Sequence, residues 1–355
     1  MKVLIYGGGS VGLGIGSCLL KAGASLDIIG RENTVTALRE EGLNRSGIFG
    51  EYYAGPKQFR SYTSLDEVGE EVYDYILVSV KSFDTSEAAR ELSKHKRLFG
   101  KKTKIVLFQN GWGNAEMFLN FFKEEQIYSA RVITGFRRVK ENKVEVTVHA
   151  EPIHIGSLFG KDISCVESLS EFISKGGIPC EETENIGKDL WAKMLYNCAL
   201  NPLGAILDVP YGVLGRNGYT RAIMNGIVGE IFEVIAAAGY KTHWANAGGF
   251  LEVFYKKLVP YTAEHKSSTL QDILARKKTE IDALNGAVIK LADKYEIAVP
   301  YNLAVYNMVK FIESRSQETE DRSQKSGDRS QETEVRRQKS EDRSQKTGER
   351  VADRE

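Results

Sequence analysis

The chain has 355 residues, enough for two domains with sizeable cores, and its hydrophobic content of 42% is ordinary for a folded protein. Its formal net charge of zero gives no reason to expect nucleic acid or an anionic membrane as a partner, and no apolar stretch has membrane-spanning length. The four cysteines and five histidines show neither disulfide nor metal-ligand spacing, so we expect reduced thiols, no metal and a cytoplasmic protein.

A glycine-rich turn follows the first predicted strand. Residues 2–6 form a short apolar run suited to a buried parallel strand, and a helical pattern follows. The spacing of Gly7, Gly9 and Gly12 fits the dinucleotide-binding fingerprint, which needs a tight turn, close backbone approach to a pyrophosphate and close helix packing. Glycines interrupt the apolar run, so we expect no signal peptide. The predicted cofactor turn therefore comprises Gly7, Gly8, Gly9, Ser10, Val11 and Gly12.

The second predicted strand, residues 25–29, ends at Gly30 and Arg31. An NAD site usually carries an acidic residue at this strand end, where it holds the ribose 2′-hydroxyl. A guanidinium instead suits a 2′-phosphate, because its planar fork makes paired, charge-assisted hydrogen bonds. The pattern favours NADP(H) bound through Arg31. NAD remains an alternative because of the acidic Glu32 that follows.

Two later strands end in polar residues. The predicted strand at 75–80 runs into Lys81, and the one at 104–108 runs into Asn110. Ligands of open α/β sheets lie outside the carboxyl ends of the strands, so both side chains are candidates for cofactor contacts, and Asn110 could also reach the substrate. The alternatives are a solvated lysine and an ordinary Asn-Gly turn.

A helical pattern from Ile186 carries Lys193, Asn197 and Asn201 within an otherwise apolar segment. Because steps of four residues advance a helix by slightly more than a turn, the three polar side chains share one stripe about 12 Å long. A buried cation beside two buried amides is costly unless a polar ligand fills the space between them. The alternative is a lysine that reaches solvent and two amides that bond nearby backbone.

The predicted α/β Rossmann domain covers residues 1–180, and a helical domain covers residues 181–312. Further strands are expected near residues 131–134, 144–148 and 153–155, extending the sheet, with the last two forming a hairpin. Gly135 or Phe136 is expected at a strand end near the cofactor.

Together these motifs resemble the ketopantoate reductase (2-dehydropantoate 2-reductase) family. The matching features are the glycine turn, the Gly30–Arg31 pair, Lys81, the Gln-Asn-Gly at 109–111, the Lys193 stripe, and a late block at 267–302 that contains Ser268 and Glu280. The resemblance covers about residues 1–312, and its motifs arrive in order across both halves.

The resemblance implies a Rossmann domain followed by an all-α domain like the C-terminal domain of 6-phosphogluconate dehydrogenase, with the active site between them. It implies reduction of a small-molecule 2-keto acid by NADP(H), and homodimerisation through the helical half. It further implies Lys193 as the catalytic acid, Glu280 near the nicotinamide, and substrate contacts from Asn110, Asn197, Asn201 and Ser268. The alternatives are purely structural roles: Ser268 could form a capping box with Gln271, and Glu280 could form an ion pair with Arg276.

One position departs from the family's well-studied bacterial members. They carry a substrate-binding asparagine after the proline equivalent to Pro210, whereas this chain has Tyr211. Thr269 likewise stands where that subgroup often has methionine. We expect Tyr211 to contact the substrate by hydrogen bonding, but its size leaves the exact 2-keto acid open.

From Arg315 the chain repeats with a period of seven residues that are almost entirely polar and charged. Because no two apolar positions per repeat could form a seam, this is not a coiled coil. The composition predicts a disordered tail over residues 313–355.

The leading hypothesis is NADPH-dependent reduction of ketopantoate to pantoate, a step of pantothenate and coenzyme A biosynthesis. Alternatives are a reductase of another branched 2-keto acid and a non-catalytic NADP(H)-binding sensor on the same fold. A sensor would need the glycine turn and Arg31 but not the polar stripe. A hydroxyacid dehydrogenase of the 6-phosphogluconate type shares the Lys-Asn helix but lacks the Gln-Asn-Gly and late blocks.

Overall fold

The computed structural model describes residues 1–315, and residues 316–355, which hold most of the predicted tail, lie outside it. The strands in the described part are β1 (Lys2–Tyr6), β2 (Ser25–Ile29), β3 (Leu43–Gly47), β4 (Tyr52–Ala54), β5 (Arg60–Tyr62), β6 (Tyr73–Val78), β7 (Phe99–Leu107), β8 (Ile127–Arg131), β9 (Thr134–Lys140), β10 (Lys143–His149), β11 (Ile153–Gly156) and β12 (Cys180–Glu182). Eight of them form the main sheet in the order β12-β11-β8-β7-β6-β1-β2-β5.

The main sheet is parallel except where β11 meets β8, and helices cover both of its faces. Val3 and Ile5 of β1 pack into the same core cluster as Leu13, whereas Leu4 points to the cluster that contains Ala88. A strand buried on both faces is apolar throughout, which explains the continuous run at residues 2–6. The predicted Rossmann architecture is confirmed, and its helices are α1 (Ser10–Lys21), α2 (Glu32–Glu41), α3 (Thr85–Lys94), α4 (Asn114–Phe118) and α5 (Glu167–Lys175).

A second sheet, in the order β4-β3-β10-β9, packs against α1. The expected hairpin of strands 144–148 and 153–155 is wrong, because β10 pairs with β9 while β11 pairs with β8 and β12 in the main sheet. The short connection at residues 141–142 makes β9 the nearest antiparallel partner for β10. The apolar side of β10, Val144 and Val146, is buried in the same core cluster as α1.

The second half is helical, as the resemblance implied. It contains α6 (Ile186–Leu207), α7 (Tyr211–Arg216), α8 (Gly218–Ala237), α9 (Ala247–Val253), α10 (Val259–Tyr261), α11 (Ser268–Leu274), α12 (Asn285–Lys294) and α13 (300–315). Helix α6 is the central element, with Trp191 and Leu195 fully buried against residues of α8 such as Ile227. The main sheet continues to Glu182, two residues past the predicted boundary at 180.

Two buried carboxylates fix the last helix, α13. Glu230 accepts hydrogen bonds from the backbone N–H groups of Tyr301 (2.7 Å) and Asn302 (2.9 Å) at its start. Glu313 accepts from the backbone and hydroxyl of Thr279 at 2.7 and 2.6 Å. The helix therefore extends past residue 312, where the tail was predicted to begin. Within residues 1–315, no helix combines the length and apolar character that crossing a bilayer requires.

Candidate functional site

The glycine-rich turn between β1 and α1 is shaped by close backbone approach. Gly7 has φ = 119°, and a Cβ there would lie 2.7 Å from the backbone nitrogen of Val80. A Cβ on Gly12 would lie 2.2 Å from the Gly7 carbonyl oxygen. Helix α1 can therefore approach the turn this closely only because residue 12 is a glycine. Gly9 faces open space, since the only atom near its Cβ position is the Ser79 carbonyl oxygen at 3.8 Å.

The start of α1 is open to an anion. Gly9 is its N-cap, and no side chain caps the first turn. The first-turn N–H groups at Ser10, Val11 and Gly12 therefore point out of the turn at the carboxyl edge of the sheet. These features fit the pyrophosphate of a dinucleotide.

Lys193 projects from α6 toward the ends of the sheet strands. Its Nζ donates hydrogen bonds to Asn110 Oδ1 at 2.6 Å and to the Val132 carbonyl at 2.7 Å. Burial lowers the pKa of Lys193 to about 8; the negative charge of Glu280 opposes this shift and the positive charge of Arg131 adds to it. The predicted catalytic lysine is thus a partly buried ammonium that can release its proton near neutral pH.

Glu280 connects the two halves of the chain. Its buried carboxylate accepts hydrogen bonds from the Ser82 backbone N–H at 3.0 Å and from Asn110 Nδ2 at 3.1 Å. Asn110 therefore bridges two groups, accepting from Lys193 and donating to Glu280. The alternative pairing of Glu280 with Arg276 does not occur among the hydrogen bonds and ion pairs of residues 1–315.

Lys81 lies between two carboxylates of the helical half. Its Nζ is 2.8 Å from Asp272 and 3.4 Å from Glu280. Burial lowers the pKa of Lys81, but the two carboxylates outweigh that effect and raise it. Burial raises the pKa of Asp272, Lys81 opposes this shift, and the net change is upward. Sequence reasoning assigned Asp272 no role, although its position in the late block with Glu280 was the available signal.

The stripe on α6 separates into two environments. Asn197 is partly buried, and its side chain has no hydrogen-bond partner within residues 1–315, so its amide is available to a ligand. Asn201 is buried, and its Oδ1 accepts a hydrogen bond from the Tyr211 hydroxyl at 2.5 Å. Lys193, in the helical half, donates a hydrogen bond to Asn110 of the Rossmann half instead of reaching solvent.

Tyr211 is 2% exposed, and its ring contacts Tyr196 edge-to-face at a centroid distance of 5.7 Å. Burial raises the pKa of Tyr211 well above its usual range, so its hydroxyl remains a donor. The sequence analysis expected Tyr211 to contact the substrate directly. In the structure its hydroxyl is engaged by Asn201.

Ser267 and Ser268, at the start of α11, have different roles. Ser267 is the N-cap, accepting from the Leu270 backbone N–H at 3.0 Å and donating to the Asn201 carbonyl at 3.2 Å. Ser268 is the exposed first residue of the helix. The capping reading of Ser268 is therefore wrong, and its hydroxyl has no hydrogen-bond partner within the described residues.

The two candidates on β9, Gly135 and Phe136, contact β10 and α1. A Cβ on Gly135 would meet Thr147 and Val148 of β10, each at 2.7 Å. The Phe136 ring covers Gly14 of α1. Across residues 1–315, no three His, Cys, Asp or Glu side chains are grouped to hold a metal ion.

The comparisons with known proteins agree with this geometry. Residues 3–160 match the family described as "Ketopantoate reductase PanE/ApbA", and residues 185–313 match "Ketopantoate reductase PanE/ApbA C terminal". The chain is 38% identical over 311 residues to the 2-dehydropantoate 2-reductase of Aquifex aeolicus, covering 87% of this chain and 96% of that protein.

Solved structures share the fold. A PanE/ApbA family ketopantoate reductase from Ralstonia eutropha is 29% identical, with a TM-score of 0.77 over 89% of this chain and 100% of that one. D-mandelate dehydrogenase in its ternary structure with NADH and anilino(oxo)acetate is 23% identical, with a TM-score of 0.79 over 89% of this chain and 100% of that one. At that level of identity the second likeness concerns the fold alone.

Proposed function

The chain belongs to the ketopantoate reductase family of dinucleotide-dependent reductases, and we propose that it reduces ketopantoate (2-dehydropantoate) to pantoate with NADPH. In this proposal Lys193 is the general acid, and the product enters pantothenate and coenzyme A biosynthesis in the cytoplasm. The observation that carries the proposal is the chain of hydrogen bonds from Lys193 through Asn110 to Glu280. It places an ammonium group with a pKa of about 8 where the Rossmann half, through Asn110, meets the helical half.

Lys193 is suited to the proton transfer. With a pKa of about 8, it is about nine-tenths protonated at pH 7, so the acid form is ready at neutral pH. The ammonium stabilises negative charge that grows on the substrate carbonyl oxygen, and then donates its proton to that oxygen. Asn110 and the Val132 carbonyl hold Nζ in place before the substrate arrives.

Three polar groups support substrate binding. The unpaired amide of Asn197 and the exposed hydroxyl of Ser268 are free to bond the substrate's carboxylate and hydroxyl. Tyr211 occupies Oδ1 of Asn201, which leaves the NH₂ group of that amide as a donor for substrate. In this arrangement Tyr211 supports the site through Asn201.

The glycine turn, Arg31 and the carboxyl edge of the sheet fit a dinucleotide, which supplies the hydride when bound. Arg31 follows the end of β2 and is exposed, so it is available for a 2′-phosphate. Lys81 and Glu280 lie near the carboxyl ends of β6 and β7, where we propose that they contact the nicotinamide half. Gly135 remains a predicted cofactor contact.

The test is cofactor oxidation by the purified protein with ketopantoate, pyruvate, 2-ketoisovalerate and bulkier 2-keto acids, each with NADPH and with NADH. We expect the highest kcat/KM for ketopantoate with NADPH. A higher kcat/KM for another acid would identify that acid as the substrate instead of ketopantoate. Tight NADPH binding without turnover of any acid would favour a non-catalytic NADP(H)-binding sensor. Light scattering of the same sample would test the homodimer that the resemblance implies.

A further inference from the structure

Strand β9 brings a second arginine to the glycine-rich turn. Arg138 Nη1 donates a hydrogen bond to the Gly8 carbonyl at 3.2 Å. Gly8 also donates its N–H to the Ile29 carbonyl at the end of β2. The guanidinium therefore lies where the first turn meets the end of the second strand, which is where a Rossmann fold receives the adenosine ribose.

Arg138 is held there by an acidic side chain of its own hairpin. Its Nη2 donates to Thr34 Oγ1 at 2.7 Å and to Glu141 Oε2 at 2.8 Å. Thr34 in turn donates to the same Glu141 oxygen at 2.8 Å. The Glu141 carboxylate thus joins Arg138 of the hairpin to Thr34 of α2.

Arg31 is the N-cap of α2, three residues before Thr34. The Arg31 side chain is exposed and has no hydrogen-bond or ion-pair partner within residues 1–315. Burial lowers the pKa of Arg138, Glu141 opposes this shift, and the charge of Arg31 lowers it further. Arg138 contacts Thr34 in the first turn of α2, and Arg31 caps that same turn, so an anion bound there would meet two positive charges.

We propose that Arg138, together with Arg31, binds the 2′-phosphate of the cofactor and determines the preference for NADPH, an inference that rests on the proposed function. A phosphomonoester carries nearly two negative charges and three acceptor oxygens, so it satisfies two guanidinium groups better than one carboxylate does. Glu141 competes for Arg138 and must release it when the phosphate binds.

The surroundings permit this exchange. The side chain of Glu141 is 51% exposed, so it can turn into water at little cost. Arg138 and Glu141 also border a surface cleft of about 570 Å³ between α2 and the β9–β10 turn. Lys277 of the helical half lines the same cleft and adds positive charge.

The test measures binding of 2′,5′-ADP and of ADP by calorimetry, which needs no turnover. In Arg138→Gln we expect 2′,5′-ADP to bind about 10- to 100-fold more weakly, the scale of a lost charge-assisted pair, while ADP binding stays unchanged. The matched control is Arg137→Gln. Arg137 is the neighbouring arginine of β9 and pairs with Glu145 across the hairpin, so it should affect neither nucleotide.

Glu141→Gln gives an independent reading if Arg138→Gln fails to fold. Removing the competing charge should strengthen 2′,5′-ADP binding several-fold and leave ADP unchanged; equal or weaker binding would overturn the inference. If wild-type protein binds ADP as tightly as 2′,5′-ADP, the NADPH proposal itself fails. If it prefers 2′,5′-ADP and Arg138→Gln keeps that preference, only the role of Arg138 is wrong.

Discussion

Replacing Lys193 by alanine removes the ammonium that donates to Asn110 and to the Val132 carbonyl. Loss of a positioned general acid slows a reaction about 10²- to 10⁴-fold. At about 1.36 kcal/mol for each factor of ten, this corresponds to about 3 to 5 kcal/mol of activation free energy. We expect kcat with ketopantoate to fall within this range, while NADPH binding at the glycine turn stays at the wild-type level.

The pH dependence of kcat/KM identifies the acid. The reaction uses protonated Lys193, whose pKa burial lowers to about 8, so kcat/KM should be level below that pH and fall about tenfold per unit above it. Glu280 raises the pKa of Lys193, so Glu280→Gln should move this alkaline limb to lower pH. In Lys193→Ala the limb should disappear.

Initial rates of NADPH oxidation across pH, with NADPH binding followed by tryptophan fluorescence, would provide these data. Lys188→Ala is the matched control, because Lys188 lies on α6 and its side chain makes no hydrogen bond or ion pair in the part of the chain that the structure describes. A wild-type kcat in Lys193→Ala, or an alkaline limb that neither substitution changes, would refute the assignment of Lys193.

Two further substitutions test how the helical half supports the site. Tyr211→Phe removes the hydrogen bond that holds Asn201 Oδ1, so we expect a KM for ketopantoate about 5- to 10-fold higher with unchanged NADPH affinity; an unchanged KM would contradict this role. Glu230→Ala leaves the N–H groups of Tyr301 and Asn302 without their buried acceptor, so denaturant unfolding should show a loss of about 2 to 4 kcal/mol; a change under about 0.5 kcal/mol would argue against the carboxylate as the anchor of α13.

Several features could be predicted because they depend on the local backbone conformation and on helical periodicity. The turn at Gly7 and Gly12 leaves no room for a Cβ, so its glycine spacing is visible in the sequence itself. The α6 stripe follows from helical periodicity alone, which identified Lys193 before any contact was known. The error in the sheet arose where two antiparallel partners were available and periodicity could not choose between β9 and β11 for β10.

The sequence by itself determined the dinucleotide turn, the order of a Rossmann half before a helical half, and a lysine with two amides on one helix face. Only the tertiary structure decided that Glu280 meets Asn110 and that Arg138 meets Gly8, contacts that span 170 and 130 residues of chain. The physical reason is that a residue's periodicity reveals which side of its own element it faces. What it meets there depends on how sheets and helices pack, and no local pattern records that packing.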